Sequence, residues 1–129
     1  MPRILLHPDA QSDLAKIKGQ SPNVAAKILV TLQEIKADER LVDSLTIHRF
    51  GKAGGEKIGV TKWLAHWYAG RALWSLKIWE LENMGIRYRV IYYFAPLETF
   101  YVLGIVPRSF DYDDDHPLTK RILAAYDAL

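Results

Sequence analysis

Apolar residues recur along this chain with two different periods, and the switch between them divides it into elements. Arg3–Leu6 carries the run Ile4-Leu5-Leu6 and predicts a short strand, which His7-Pro8-Asp9 interrupts. Pro8 is suited to the first turn of a helix. Ala10, Leu14 and Ile17 follow at i, i+4 and i+7, one helical face, up to Gly19. Ser21 and Pro22 supply a cap and a first helical position for a second helix. Its stripe is Val24, Ile28, Leu32 and Ile35, flanked by Ala25 and Leu29. Two helices joined so tightly predict an antiparallel hairpin.

Residues 38–58 are less regular, and Gly51, Gly54 and Gly55 loosen them. Val60, Trp63, Leu64, Trp67 and Tyr68 fall at helical spacing ahead of Gly70 and predict a helix, with a short aromatic strand as the alternative. From residue 73 the period becomes two. Residues 73–81 read as a strand with Trp74, Leu76 and Ile78 on one face and Ser75 and Lys77 on the other. Residues 82–85 turn the chain. Residues 86–94, rich in Tyr, Val and Ile, suit a central strand. Residues 95–98 turn again, and 99–106 form a third strand stopped by Pro107. Residues 117–129 predict a closing helix with the stripe Leu118, Ile122, Tyr126 and Leu129; Asp114 and Asp115 precede it, where negative charge is favoured.

The predicted order is β-α-α-(insertion)-β-β-β-α. It implies an α+β fold: a twisted antiparallel sheet packed against the N-terminal helical hairpin, with the first strand at an edge or in the centre. A length of 129 residues, half of them apolar, fits one domain spanning 1–129. The absence of cysteine excludes disulfides, thiolate zinc sites and a cysteine nucleophile. No apolar run approaches the roughly 18 residues of a membrane span, so no membrane partner is expected and the cytoplasm is the default location.

A net charge of +2 says little, but its distribution is uneven. Residues 46–72 hold Arg49, Lys52, Lys57, Lys62 and Arg71 against Glu56, a local charge of +4, and also His48 and His66. Residues 110–115 hold Asp111, Asp113, Asp114 and Asp115, a local charge of −4. A basic segment attracts phosphates or an acidic partner; the plainer reading is a solvated surface.

Several motifs fail on inspection. The stretch Gly51 to Lys57 lacks the spacing and the Lys-Ser/Thr ending of a phosphate loop. Asp111, Asp113 and Asp115 alternate as a calcium loop begins, but His116 and Ile122 stand where Gly and Glu are needed. No histidine pair has zinc-helix spacing. His116, between the acidic loop and a helix, is a candidate for proton transfer or for a simple cap. Trp63, Trp67, Tyr68, Trp74 and Trp79 fit a core better than a stacking platform for bases. The cations on strands remain. Arg87 and Arg89 alternate with Tyr88 and Val90, Lys77 lies on the strand before, and Arg108 ends the strand after. Together they suit a phosphate and the negative charge that develops on it; singly they suit salt bridges with Glu80, Glu82 or Glu98.

On these residues the chain resembles the RelE/ParE superfamily of bacterial type II toxin–antitoxin toxins. The resemblance rests on Leu5-Leu6-His7-Pro8-Asp9-Ala10, on Leu73-Trp74-Ser75-Leu76-Lys77-Ile78 with Gly85-Ile86-Arg87-Tyr88-Arg89-Val90-Ile91-Tyr92-Tyr93-Phe94, and on Tyr101-Val102-Leu103-Gly104-Ile105-Val106-Pro107-Arg108. It leaves out an atypical basic insertion at about 43–70 and the Asp-rich loop. It implies a RelE/HigB-like toxin: an endoribonuclease that cuts mRNA, alone or on the ribosome, with basic residues and no metal or other cofactor. Carried over, Arg89 and Arg108 are catalytic cations, Lys77 assists, and Tyr112 or His116 supplies an acid or base. Arg87, Arg71, Lys62, Lys57, Lys52 and Arg49 are candidate RNA contacts. A cognate antitoxin is the implied protein partner. Ser75, Pro107 and the aspartates depart from the nuclease pattern and point to the alternative: a ParE-like DNA gyrase inhibitor or a protein-binding module of the same fold.

Overall fold

The computed structural model describes residues 3–95 and 99–129, so the turn expected at 95–98 lies, beyond Ala95, outside the described residues. The elements are β1 (Arg3–Leu6), α1 (Pro8–Gln20), α2 (Pro22–Ala37), α3 (Glu39–Ser44), β2 (Ile58–Lys62), α4 (Leu64–Tyr68), β3 (Trp74–Ile78), α5 (Trp79–Glu82), β4 (Tyr88–Ala95), β5 (Thr99–Pro107) and α6 (Pro117–Asp127). A 3₁₀ turn, Arg108–Phe110, follows β5. The strands form one sheet in the order β1-β5-β4-β3-β2.

The mixed α+β class agrees with the sequence, and the sheet is mixed rather than antiparallel. β2 to β5 form an antiparallel meander, but β1 runs parallel to β5, pairing Arg3 with Thr99 through Leu6 with Val102. The reason is connection length. Adjacent antiparallel strands need only a turn, whereas β1 reaches its partner after the whole helical hairpin and meander, so no local turn dictates its direction.

The segment from Val60 to Tyr68 corrects the single predicted helix. Its first part is β2, the far edge of the sheet, and its second part is α4. Ile58 and Val60 are buried under the hairpin and Trp63 is buried on the other sheet face, while Leu64 and Tyr68 are exposed. Pairing with β3 decides for strand as far as Lys62. The insertion is thus built into the sheet. A second correction concerns 73–81: β3 stops at Ile78, and Trp79–Glu82 is the short helix α5.

The two sheet faces carry separate cores. Ile17, Val24, Ile28, Leu32 and Ile35 from α1 and α2, with Leu41 from α3, pack on Val60, Leu76, Val90, Tyr92 and Val102. Tyr92 is fully buried and its hydroxyl donates to the Leu45 carbonyl at 2.7 Å. The opposite face packs Leu73, Ile91, Leu103 and Val106 with Trp63, Phe110 and the α6 residues Ile122 and Ala125. Leu129, expected in the α6 stripe, is exposed, and Thr119 is buried in its place. The β4–β5 register shifts between Ile91–Gly104 and Tyr92–Val102, which leaves Leu103 as the extra residue of a bulge. Gly104 accommodates α6: a Cβ there would lie 3.2 Å from Ile122.

Capping also differs from expectation. Ser21 stands at the start of α2 without a side-chain capping bond, whereas His7, Asp38 and His116 accept backbone N–H bonds at the starts of α1, α3 and α6. Among the described residues no helix is long and apolar enough to cross a membrane.

Candidate functional site

Because side chains alternate across a strand, the odd-numbered residues of β2, β3 and the start of β4 share the face that α6 occupies. α6 packs against β5. Beyond its reach that face opens into a hollow of about 240 Å³, lined by Gly59, Thr61, Ser75, Lys77, Arg89, Arg108 and Tyr112. Four of the five residues predicted to be catalytic therefore line one cavity: Lys77 from β3, Arg89 from β4, Arg108 from the end of β5 and Tyr112 from the loop beyond.

Each cation is held differently. Gly59 pairs with Lys77 across the β2–β3 ladder, and a Cβ at Gly59 would lie 2.9 Å from Lys77 Cε. The lysine stem thus runs over the glycine. Its ammonium sits 4.3 Å from the centre of the Trp79 ring, a cation–π contact. Trp79 is fixed in turn, donating from Nε1 to the Gly51 carbonyl at 2.7 Å. Gly51 has a φ of +65°, and a Cβ there would lie 2.1 Å from the Ile58 carbonyl oxygen, so this turn requires glycine. Among the described residues Lys77 forms no ion pair. Burial, then the nearby Arg89 guanidinium, hold its pKa below the ordinary lysine value.

Arg89 is ion-paired with Glu82, and both side chains are only 11% exposed. Arg89 also donates to the Tyr88 carbonyl at 3.1 Å. Arg108 meets Asp111 at 2.6 Å, but here the side chains are 40% and 73% exposed. That pairing raises the already high pKa of the guanidinium. Asp111 and Tyr112 both have left-handed backbone, φ +53° and +54°, a conformation that non-glycine residues seldom adopt. The turn brings Asp111 back to Arg108 and puts the Tyr112 ring beneath the same guanidinium, 5.4 Å from its carbon. The Tyr112 and Ser75 hydroxyls share a hydrogen bond of 2.7 Å.

The remaining candidates are dispersed. His116 does not reach the hollow: its Nδ1 caps α6 by accepting from Leu118 N at 3.1 Å, and its ring rests edge-on against Phe110. Arg71 is committed to Asp127 through two bonds of 3.0 and 2.8 Å. Lys57 pairs with Glu34 of α2. Lys62 lies over Trp67 and Trp74, on the helical-hairpin side of the sheet. These corrections share one cause: a strand's alternating faces and its nearest carboxylates split a run of like charges that is continuous in sequence. Arg49 and Lys52 are exposed. Arg87 is also exposed and lines a shallow groove next to the hollow. Of the suggested carboxylate partners, Glu82 takes Arg89, Glu80 takes Lys27, and Glu98 lies outside the described residues.

The sequence reading overlooked Gly59 and Thr61. A glycine in a run of strand spacing is the signal that could have found the first. It also overlooked buried His66, whose Nε2 lies 3.0 Å from Asp114 Oδ1 and ties the acidic loop to α4. Among the described residues no group of three or more His, Asp or Glu is arranged to hold a metal ion.

Chemically, the hollow is lined by two guanidinium groups, an ammonium and three hydroxyls. Such a set receives a phosphate and opposes charge that builds on it. No protein-family model, no curated protein and no solved structure matches the chain at a significant level.

Proposed function

We propose that this chain is a RelE/HigB-like toxin, a metal-independent endoribonuclease that cuts mRNA. The observation that carries the reading is the convergence of Lys77, Arg89, Arg108 and Tyr112 on one solvent-open hollow. The scissile phosphate sits among the three cations. The ribose 2′-oxygen bonds to phosphorus and the bond to the 5′-oxygen breaks, leaving a cyclic 2′,3′-phosphate and a free 5′-hydroxyl. Arg89 and Arg108 oppose the charge that develops on the phosphorane oxygens. Lys77 gives a proton to the departing 5′-oxygen. Tyr112, held by Ser75, accepts a hydrogen bond from the 2′-hydroxyl as its proton leaves to water. His116 has no part, since it caps α6.

The test uses purified protein with single-stranded RNA, alone and with translating ribosomes, in the presence of EDTA. Fragments ending in cyclic phosphate and 5′-hydroxyl are expected, and Lys77→Met should lower their rate by roughly 10²-fold, as for loss of one group that stabilises a transition state. Intact RNA in both settings rejects the reading. A pH profile supplies an independent check. Because Lys77 sits below the ordinary lysine value, the rate should fall on the alkaline side earlier than a free lysine titrates. Lys77→Arg should abolish that limb and lower the rate, because a guanidinium stays charged and releases no proton to the leaving oxygen.

A second reading has its own support. Arg89 and Arg108 each already hold a carboxylate of this chain, which suits a surface that binds a partner without cleaving it. That protein would be a ParE-like gyrase inhibitor or a protein-binding module, and inhibition of gyrase supercoiling without RNA cleavage would favour it. Under either reading the partner is an antitoxin whose acidic segment covers this basic face. The cytoplasm is the corresponding location.

A further inference from the structure

We infer that the site takes a strand of nucleic acid, not a lone nucleotide, and that Arg87 and Arg108 form a second phosphate subsite beside the first. This deepens the proposed function and rests on the reading of the Lys77–Arg89–Arg108 hollow as a phosphate site.

Arg108 is the common wall of two concavities. One is the hollow of about 240 Å³ with Lys77 and Arg89; the other is a shallow groove of about 580 Å³ lined by Gly85, Arg87, Pro107, Arg108, Ser109 and Asp111. The sheet fixes their spacing, because the Arg108 N–H donates to the Arg87 carbonyl at 3.0 Å. Arg87 immediately precedes β4 and Arg89 is its second residue, so two residues separate them by about 6.6 Å if the backbone there is extended. That separation is comparable to the phosphate step of an extended single strand. A backbone that crosses Arg108 therefore meets Arg89 and Lys77 on one side and Arg87 on the other. Arg87 is exposed, and among the described residues it forms no ion pair.

Asp111 lies on the rim of the groove and opposes an anion there. Its carboxylate is 73% exposed, whereas Glu82 behind Arg89 is 11% exposed. Exposed pairs are weak and exchange readily. An incoming phosphate thus displaces Asp111 from Arg108 and leaves Glu82 in place to orient Arg89. The two carboxylates differ in this respect: one is a removable cover and the other a fixed support.

Binding of uncleavable oligodeoxynucleotides with one, two or three internucleotide phosphates tests this, measured by isothermal titration over a range of salt. Two phosphates should bind about tenfold more tightly than one, the value of one added charge-assisted contact. Arg87→Ala should erase that gain and leave the one-phosphate ligand unchanged. It should also reduce the steepness of the salt dependence by about 0.7, the contribution of one single-strand phosphate. Asp111→Asn should tighten the longer ligands, and Asp113→Asn, equal in charge and with a carboxylate bonded among the described residues only to the Asp115 N–H, should do so less. Equal affinity for one and two phosphates, or an equal loss for both in Arg87→Ala, overturns the second subsite alone. Failure of every ligand to bind overturns it together with the phosphate-site reading beneath it.

Discussion

Arg89→Ala is expected to lower RNA cleavage by roughly 10²–10³-fold and to destabilise the fold by about 3 kcal/mol. The two losses share one origin. Arg89 neutralises Glu82 where both side chains are 11% exposed. Removing the guanidinium leaves a nearly buried carboxylate without a cation, which costs more than the pair contributes. The double variant Arg89→Met, Glu82→Leu separates the effects. Replacing both partners of a buried pair with apolar side chains is often close to neutral, so urea unfolding should return most of the stability. Cleavage should stay lost, because no cation faces the phosphate from β4. A double variant that cuts RNA at the wild-type rate would remove Arg89 from the chemistry.

Asp13→Ala is expected to cost about 3 kcal/mol without touching the hollow. β1 pairs with β5 only from Thr99 to Val102, so the next stretch of β5 lacks a strand neighbour on that side. Asp13 of α1 serves there. Its Oδ2 accepts the Ile105 N–H at 3.0 Å, and its two oxygens accept from Arg121 of α6 at 3.0 and 2.6 Å. One carboxylate, 12% exposed, thus ties helices on opposite faces of the sheet to the strand between them. Alanine strands a backbone N–H and leaves the Arg121 guanidinium with Asp9, at 3.7 Å, as its remaining carboxylate. Asp13→Asn keeps an acceptor for Ile105 and should lose less. Denaturant midpoints measure both; a loss under about 1 kcal/mol for alanine would mean that the edge is satisfied by other groups, since an ordinary hydrogen bond contributes about that much.

Parts of the site were legible before any coordinates. Lys77 shares a face with Ser75 because strand alternation is local, and both line the hollow. Arg108 was readable from Pro107, which ends β5 immediately before it. Other parts were not. Glu82 was among the carboxylates expected to pair with the strand cations, but that it would take Arg89 depends on β3 giving way to α5, whereas the texture of 73–81 favoured one continuous strand. Asp111 faces Arg108 only because two consecutive residues adopt left-handed backbone, which no residue type there announces. His116 was open to capping and to proton transfer, and its place at the start of α6 makes it a cap.

The sequence by itself determined the helices of the hairpin, the closing helix and the three strands after residue 73, because periodicity and the prolines and glycines between them act within a few residues. Only the tertiary structure decided that Ile58–Lys62 would be a strand, that β1 would run parallel to β5, and which members of the basic run would face the hollow. Each of those outcomes depends on pairing and burial against residues distant in the chain. The stripe Val60, Trp63, Leu64 and Trp67 has helical spacing, yet pairing with β3 draws its first residues into a strand, so neighbours across the sheet outweigh the local period.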